Sequence, residues 1–203
     1  PNLVSMEAIR GFEHATFGQE TADKVPAKAT TAPFIRNAFD PMDFTPVCFT
    51  AYDNFERVTG NGAELAMAVL FLTGAQHYAE TPRGMAGMPD YVKNMMSAIP
   101  VSWDDTKFID GYPGKFIVVA RRTGNVWYIA GINAGKEPKE INMKLPFIAQ
   151  ENGIIVTEGN TLRSFALKNV TLDGEKSGTV IINHNCGFVM RFDPSESIKP
   201  ENE

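Results

Sequence analysis

Beyond residue 114 the sequence breaks into short apolar runs parted by Gly, Asn and Asp. KFIVVARRTGNVWYIAGIN (115–133) holds two of them, and EINMKLPF, GIIVTEG, SFALKNVTL, GTVIINH and CGFVMRF follow, the last pair joined through Asn185. Runs of this length at this spacing read as strands, and their close succession predicts an antiparallel β-sandwich. Within the first pair, RRTGN is a hairpin signal with Gly124 and Asn125 at the turn.

Upstream of about residue 100 the pattern differs. NLVSM reads as a short buried strand. FGQETADKVPAKATTAPFIRN (17–37) has no sustained period and reads as a long loop. PMDFTPVCF (41–49) carries two prolines and suits a strand end that feeds an irregular connection. NGAELAMAVLFLTGAQHYAE (61–80) is the longest helix candidate, apolar on nearly every side, and PDYVKNMMSAI (89–99) opens on Pro as helices often do. The expected organisation is an α/β part over residues 1–100 and a sandwich over 101–203, an α+β chain overall. SWDDT (102–106) forms the junction, with Asp104 and Asp105 as turn and cap residues rather than a catalytic dyad. The charged tail PSESIKPENE is expected to fray.

With 203 residues and 43% hydrophobic content the chain has material for one or two packed cores. Net charge is −5 and the 19 Lys and Arg form no run, which disfavours nucleic acid as a partner. LAMAVLFLTGA (65–75) is too short to span a bilayer, so no membrane span is expected. Cys48 and Cys186 read as buried free thiols, with a bridge between them left open. The chain starts at Pro1 and runs straight into NLV, which suggests a part of something longer.

EAIRGFEH (7–14) sets two glutamates six positions apart around Arg10 and Gly11. A helix would carry Glu7 and Glu13 to different faces, and a strand would hold them roughly 20 Å apart. They converge only where a strand ends near Glu7 and the chain doubles back, a bend that Gly11 permits. Strand-to-loop exits of this kind are where barrel enzymes keep their chemistry.

In this order, PNLVSMEAIRGFEH, the threonine pair before PFIRNAFDPMDFTP, the helix ELAMAVLFLTGAQHYAE and VSWDDTKFIDGYPGKFIVVARR resemble the C-terminal part of glycoside hydrolase family 97. The most specific piece is E-x-x-R-G-x-E followed by P-M-D-F-T-P, and the likeness extends over roughly residues 1–192. That family comprises bacterial α-glucosidases and α-galactosidases, many from gut Bacteroidetes. The resemblance implies a partial (β/α)8 barrel, its last portion only, followed by the C-terminal β-sandwich. It also implies a periplasmic or secreted enzyme acting on α-linked oligosaccharides with calcium beside the substrate. By this resemblance Glu13 matches the general acid and Glu7 a carboxylate ligand of calcium, with Glu13 a second ligand.

Chemistry agrees in outline: glycosidic cleavage needs a protonated carboxyl for the leaving oxygen and a second carboxylate to activate water or attack the sugar. Calcium takes hard oxygen ligands of the kind Glu7 supplies. Arg10 favours an ionised Glu13, so apolar cover such as Phe12 must oppose it if Glu13 is to hold a proton. Asp43 either lines the sugar pocket or forms a turn between prolines. His14 either donates to sugar or carboxylate, or packs against its loop. His77, on the apolar helix, reads as a core or interface histidine, and His184, in the terminal β region, has no ligand-spaced partner, so no zinc site is indicated. Trp103, Trp127 and Tyr128 fall where the sandwich needs core, which favours packing over sugar stacking. The residues that complete the site would come from the upstream part of the same enzyme, so this chain alone is expected to be inactive. The rival reading is a non-catalytic module whose sandwich binds carbohydrate or only supports structure.

Overall fold

The structure, a computed structural model, describes residues 12–38, 41–51, 54–73 and 76–195. Its second part is built from β1 (Asp105–Tyr112), β2 (Phe116–Thr123), β3 (Val126–Asn133), β4 (Lys139–Lys144), β5 (Asn152–Glu158), β6 (Phe165–Thr171), β7 (Ser177–Ile182) and β8 (Gly187–Phe192). Six of them form a sheet in the order β1-β2-β3-β8-β5-β6, and β4 pairs with β7 in a second, two-stranded sheet. Every ladder is antiparallel. The hairpin between β2 and β3 closes on Gly124 and Asn125, with Thr123 opposite Val126 and Gly124 at φ 54°. Asn185, leading into β8, is likewise left-handed at φ 57°. The antiparallel β architecture expected beyond residue 114 is therefore present, with one strand more than foreseen: β1 begins inside the stretch read as a junction.

The central strands show why their sequence lacks a polar face. In β2 and β3, Ile117, Val119, Tyr128, Ala130 and Ile132 join one core, while Val118, Ala120, Trp127 and Ile129 point to the other face and join a second core with Ile141 and Met143 of β4. A strand covered on both sides reads as a continuous apolar run, because neither set of alternate residues meets water. By contrast, β4 covers only one side of itself, and Glu140, Asn142 and Lys144 alternate outward.

What covers the other face of the large sheet is α4 (Asn61–Leu70), all ten residues of which are buried. It packs against β8, β3 and β5. The approach is close enough to require glycine on both sides: a Cβ on Gly62 would lie 2.4 Å from the Gly187 carbonyl oxygen, and one on Gly187 would lie 2.7 Å from Ala63 Cα. The sheet also holds both ends of the helix. Glu158, at the end of β5, accepts from the Ala63 N–H (3.0 Å), and Arg121 of β2 donates to the Leu70 carbonyl (2.8 Å). A carboxylate at the amino end and a guanidinium at the carboxyl end both complement the helix dipole.

The first part departs from expectation in three places. The stretch 17–37 contains α2 (Gln19–Ala22), α3 (Val25–Ala29) and two 3-10 turns (Ala32–Phe34 and Arg36–Ala38), preceded by α1 (Phe12–Ala15). Apolar Val25 and Ala29 sit one helical turn apart and are buried, so short helices replace the expected loop. The helix expected over 61–80 ends at Leu70, because the next residues are drawn into extended structure. Phe71 is extended (φ −95°, ψ 133°), and Leu72 is bonded to Asn37 Oδ1 through its N–H (2.7 Å) and to Asn37 Nδ2 (2.9 Å) and the Met42 N–H (2.9 Å) through its carbonyl. The third departure concerns the barrel: among the described residues before Asp105 there is no β-ladder, so the partial barrel is not displayed there. Residues 41–49 make isolated bonds instead, from the Met42 N–H to Leu72 and from the Ala79 N–H to the Pro46 carbonyl (2.9 Å each). The strand expected at NLVSM lies outside the described residues. The remaining helices are α5 (Pro82–Ala86), capped by the Thr81 hydroxyl at the Gly84 N–H (3.0 Å), and α6 (Asp90–Ala98), as expected near 89–99.

Candidate functional site

Four residues carried the sequence-based site. Glu7 lies outside the described residues, and Glu13 belongs to α1 directly before His14. His14 is half-buried, its ring edge-on to Phe17 with centroids 5.6 Å apart, so packing is part of its role. Asp43 is exposed, between buried Met42 and buried Phe44, whose ring packs against Phe71 at 4.5 Å. The alternation sends Met42 and Phe44 inward and leaves Asp43 to solvent. Among the described residues no group of three or more His, Cys, Asp or Glu is placed to hold a metal ion.

The chain just beyond Asp43 is held by an unusual density of charge. Val47 has φ 66°, the left-handed region that a β-branched side chain rarely adopts. On its far side the Cys48 N–H donates to Glu64 (3.1 Å), and the N–H groups of Phe49 and Thr50 both donate to Glu80 Oε2 (2.7 and 2.8 Å). Glu80 Oε1 takes the Thr50 hydroxyl (2.9 Å) and the Thr81 N–H (2.8 Å). Buried Arg57 donates to the Phe49 carbonyl (3.1 Å), the Thr59 carbonyl (2.7 Å) and Asn61 Oδ1 (2.5 Å). From the β part, Arg163 donates to the Thr59 carbonyl (2.6 Å) and the Arg57 carbonyl.

Environment separates the two carboxylates. Glu64 is fully buried on α4, and burial raises its carboxyl above the ordinary value of 4.5 against the pull of Arg57, the Thr59 hydroxyl and the Cys48 N–H. Burial works on Glu80 in the same direction, but the N–H groups of Phe49, Thr50 and Thr81 and the Thr50 hydroxyl together hold it below 4.5. Oxygens engaged this fully by backbone donors are anchors, not proton shuttles. Sequence reasoning passed over both residues. Glu64 did leave a signal, as the lone charge inside ELAMAVL, where a buried helix tolerates a carboxylate only with partners. Glu80 left none, because most of its donors belong to Phe49 and Thr50, 31 and 30 residues away.

The other candidates behave as structural residues. Asp104 accepts from the Gly124 N–H (2.7 Å) and so steadies the β2–β3 turn, while Asp105 pairs with Lys107 (3.1 Å). Trp127 and Tyr128 are core, and Trp103 packs edge-on to Tyr128. His77, expected on the helix as a core or interface histidine, lies beyond the end of α4 and is exposed rather than in the core, and His184 Nδ1 is 2.7 Å from the Gly135 carbonyl. Both cysteines are buried thiols outside any disulfide, and burial together with the Glu158 carboxylate pushes the Cys186 thiol up to about 12. No helix among the described residues is long and apolar enough to cross a membrane.

Comparison with known proteins agrees with this architecture. A probable retaining alpha-galactosidase of Streptomyces bingchenggensis is 33% identical over 135 residues, 66% of this chain and 20% of its own length. The retaining alpha-galactosidase of Bacteroides thetaiotaomicron is 30% identical over 141 residues, 65% of this chain and 21% of its own length. The chain therefore spans about a fifth of the curated relatives it matches. Among solved structures, a beta-arabinopyranosidase superposes with TM-score 0.87 at 29% identity, covering 95% of this chain and 31% of that one. A family 97 enzyme of Pseudoalteromonas sp. strain K8 in complex with panose has TM-score 0.71 at 23% identity over 86% of this chain and 30% of that one, and so shares the fold. Residues 102–193 match the family model described as glycosyl-hydrolase 97 C-terminal, oligomerisation, and this part of the chain belongs to the C-terminal domain of glycoside hydrolase family 97.

Proposed function

We propose that the chain is the C-terminal part of an exo-acting glycosidase that removes terminal α-linked galactose. The observation that carries this reading is the identity to two proteins named as retaining alpha-galactosidases, across both the helical part and the β part. The beta-arabinopyranosidase neighbour points the same way. A β-L-arabinopyranoside has the ring configuration of an α-D-galactopyranoside without its exocyclic hydroxymethyl group, so one pocket shape serves both. Terminal α-linked glucose is the competing substrate.

In this reading Glu13 donates the proton to the leaving oxygen, and the second catalytic carboxylate comes from the part of the enzyme outside this chain. Glu7 and Glu13 offer the hard oxygens that calcium takes, and an ion needing roughly 6–8 oxygens would draw its other ligands from the same outside part. When bound, such an ion would supply positive charge beside the substrate. His14 and Asp43 contribute polar contacts to the sugar. Residues 102–193 act as the assembly and docking domain rather than a sugar-binding module, since Trp127 and Tyr128 are committed to the core. Placement in the periplasm or outside the cell rests on the family resemblance alone.

The test is hydrolysis of aryl α-galactosides, aryl α-glucosides and aryl β-L-arabinopyranosides by the longer enzyme, with the anomer of the first product followed by NMR. Preference for the galactoside or arabinopyranoside with retained configuration supports the proposal. Preference for the glucoside overturns the substrate assignment, and inversion overturns retention.

A further inference from the structure

Immediately after the Asp43-bearing stretch, the backbone is fixed in a conformation that its own residues disfavour. Left-handed geometry at a β-branched residue is strained and persists only where the surroundings over-determine it. Here they do. The chain is pinned before Val47 by the Ala79 N–H at the Pro46 carbonyl, and after it by Glu64 at Cys48 and by Glu80 at Phe49 and Thr50. Glu64 lies on α4, which is held at both ends by Glu158 and Arg121. The position of the turn is thus referred, through α4, to the β part.

We propose that Glu64 and Glu80 are positioning residues of the glycosidase site: by holding the strained Val47 turn, they set where Asp43 meets the sugar. Asp43 lies four residues before Val47, and buried Met42 and Phe44 on either side of it leave its side chain outward. The clamp at Val47 fixes the far end of this short segment, so that loosening the clamp changes how the segment presents the Asp43 carboxylate without changing its chemistry. This inference rests on the reading of Asp43 as a sugar contact given above.

The experiment is steady-state kinetics of the longer enzyme on an aryl α-galactoside with Asp43→Asn, Glu80→Gln, their double variant, and Thr50→Val. Glutamine at 80 keeps the shape but has only one acceptor oxygen for donors that now occupy two. The inference expects Asp43→Asn and Glu80→Gln each to raise KM by about tenfold with kcat changed much less, and the double variant to be little worse than either single one. Thr50→Val, which removes only the hydroxyl contact, should raise KM by about two- to threefold and keeps the test available should Glu80→Gln fold poorly. A merely structural role would lower the active fraction and so kcat, leaving KM in place. If Asp43→Asn raises KM while Glu80→Gln and Thr50→Val do not, or if the double variant is fully additive, the positioning role is wrong and the Asp43 reading stands. If Asp43→Asn leaves KM unchanged, the Asp43 reading falls and this inference with it.

Discussion

Glu13 stands one residue before a histidine that is already partly committed to packing, in a helix of four residues, Phe12–Ala15. A single turn cannot hold itself together in water, so the position of an acid placed there is set by what packs around it. The proposed function makes Glu13 the proton donor, and kinetics distinguishes that role from the ligand role proposed for Glu7. In the longer enzyme Glu13→Gln removes the ionisable proton and keeps the shape. Activity on substrates with poor leaving groups should fall by roughly 10²–10⁴. Aryl substrates whose leaving groups need little protonation should lose far less. A leaving-group-dependent loss from Glu7→Gln instead, or none from Glu13→Gln, would reverse the assignment.

At the scale of elements, the stretch 46–50 is held by two carboxylates whose titrations act on stability in opposite directions. The Glu80 carboxyl is depressed in the folded chain, so its contribution is present above the unfolded value of 4.5 and is lost as pH falls through the folded one. The Glu64 carboxyl is raised, so its contribution is present below 4.5 and is lost as pH rises through the folded value. Thermal melting across pH should therefore show a shallower acid-side decline for Glu80→Gln than for the unsubstituted chain, and a shallower decline on the other side of 4.5 for Glu64→Gln. Parallel melting curves for all three proteins would sink this account. The same stretch explains what the sequence could and could not disclose. Strands β2, β3 and β8 were legible because double burial writes itself as an apolar run, and the turn at Gly124 because its chemistry is local. The end of α4 at Leu70 was not, because Arg121 and Asn37, which draw the chain out of the helix, act from 51 and 35 residues away. For the same reason the pair EAIRGFE pointed to a site through a pattern of residue types, whereas the clamp around Val47 left only the stray charge of Glu64.

For the whole molecule, the family model covers residues 102–193, and a boundary at 102 would suggest an independent β unit. Packing argues otherwise. Ile117, Val119, Tyr128, Ala130, Ile132, Val156 and Val189 of the large sheet belong to one core with α4 and the helices around it. Full burial of a large apolar side chain is worth about 1.5–3 kcal/mol, so uncovering this face would forfeit on the order of 10 kcal/mol. That is comparable with the entire stability of an ordinary domain, roughly 5–15 kcal/mol. Arg121 would also lose its Leu70 carbonyl and Glu158 its Ala63 N–H, leaving two charges on an apolar surface. A chain cut to residues 102–203 should therefore bind a hydrophobic dye such as ANS, and should melt at much lower temperature than the 203-residue chain or without a cooperative transition. The 203-residue chain, whose first core runs through both parts, should melt in a single transition by circular dichroism and calorimetry alike. A cut chain that stays monomeric, binds no dye and melts as the longer one does would show that α4 is a passenger on the sheet, and that the β part cannot set the position of anything upstream of it.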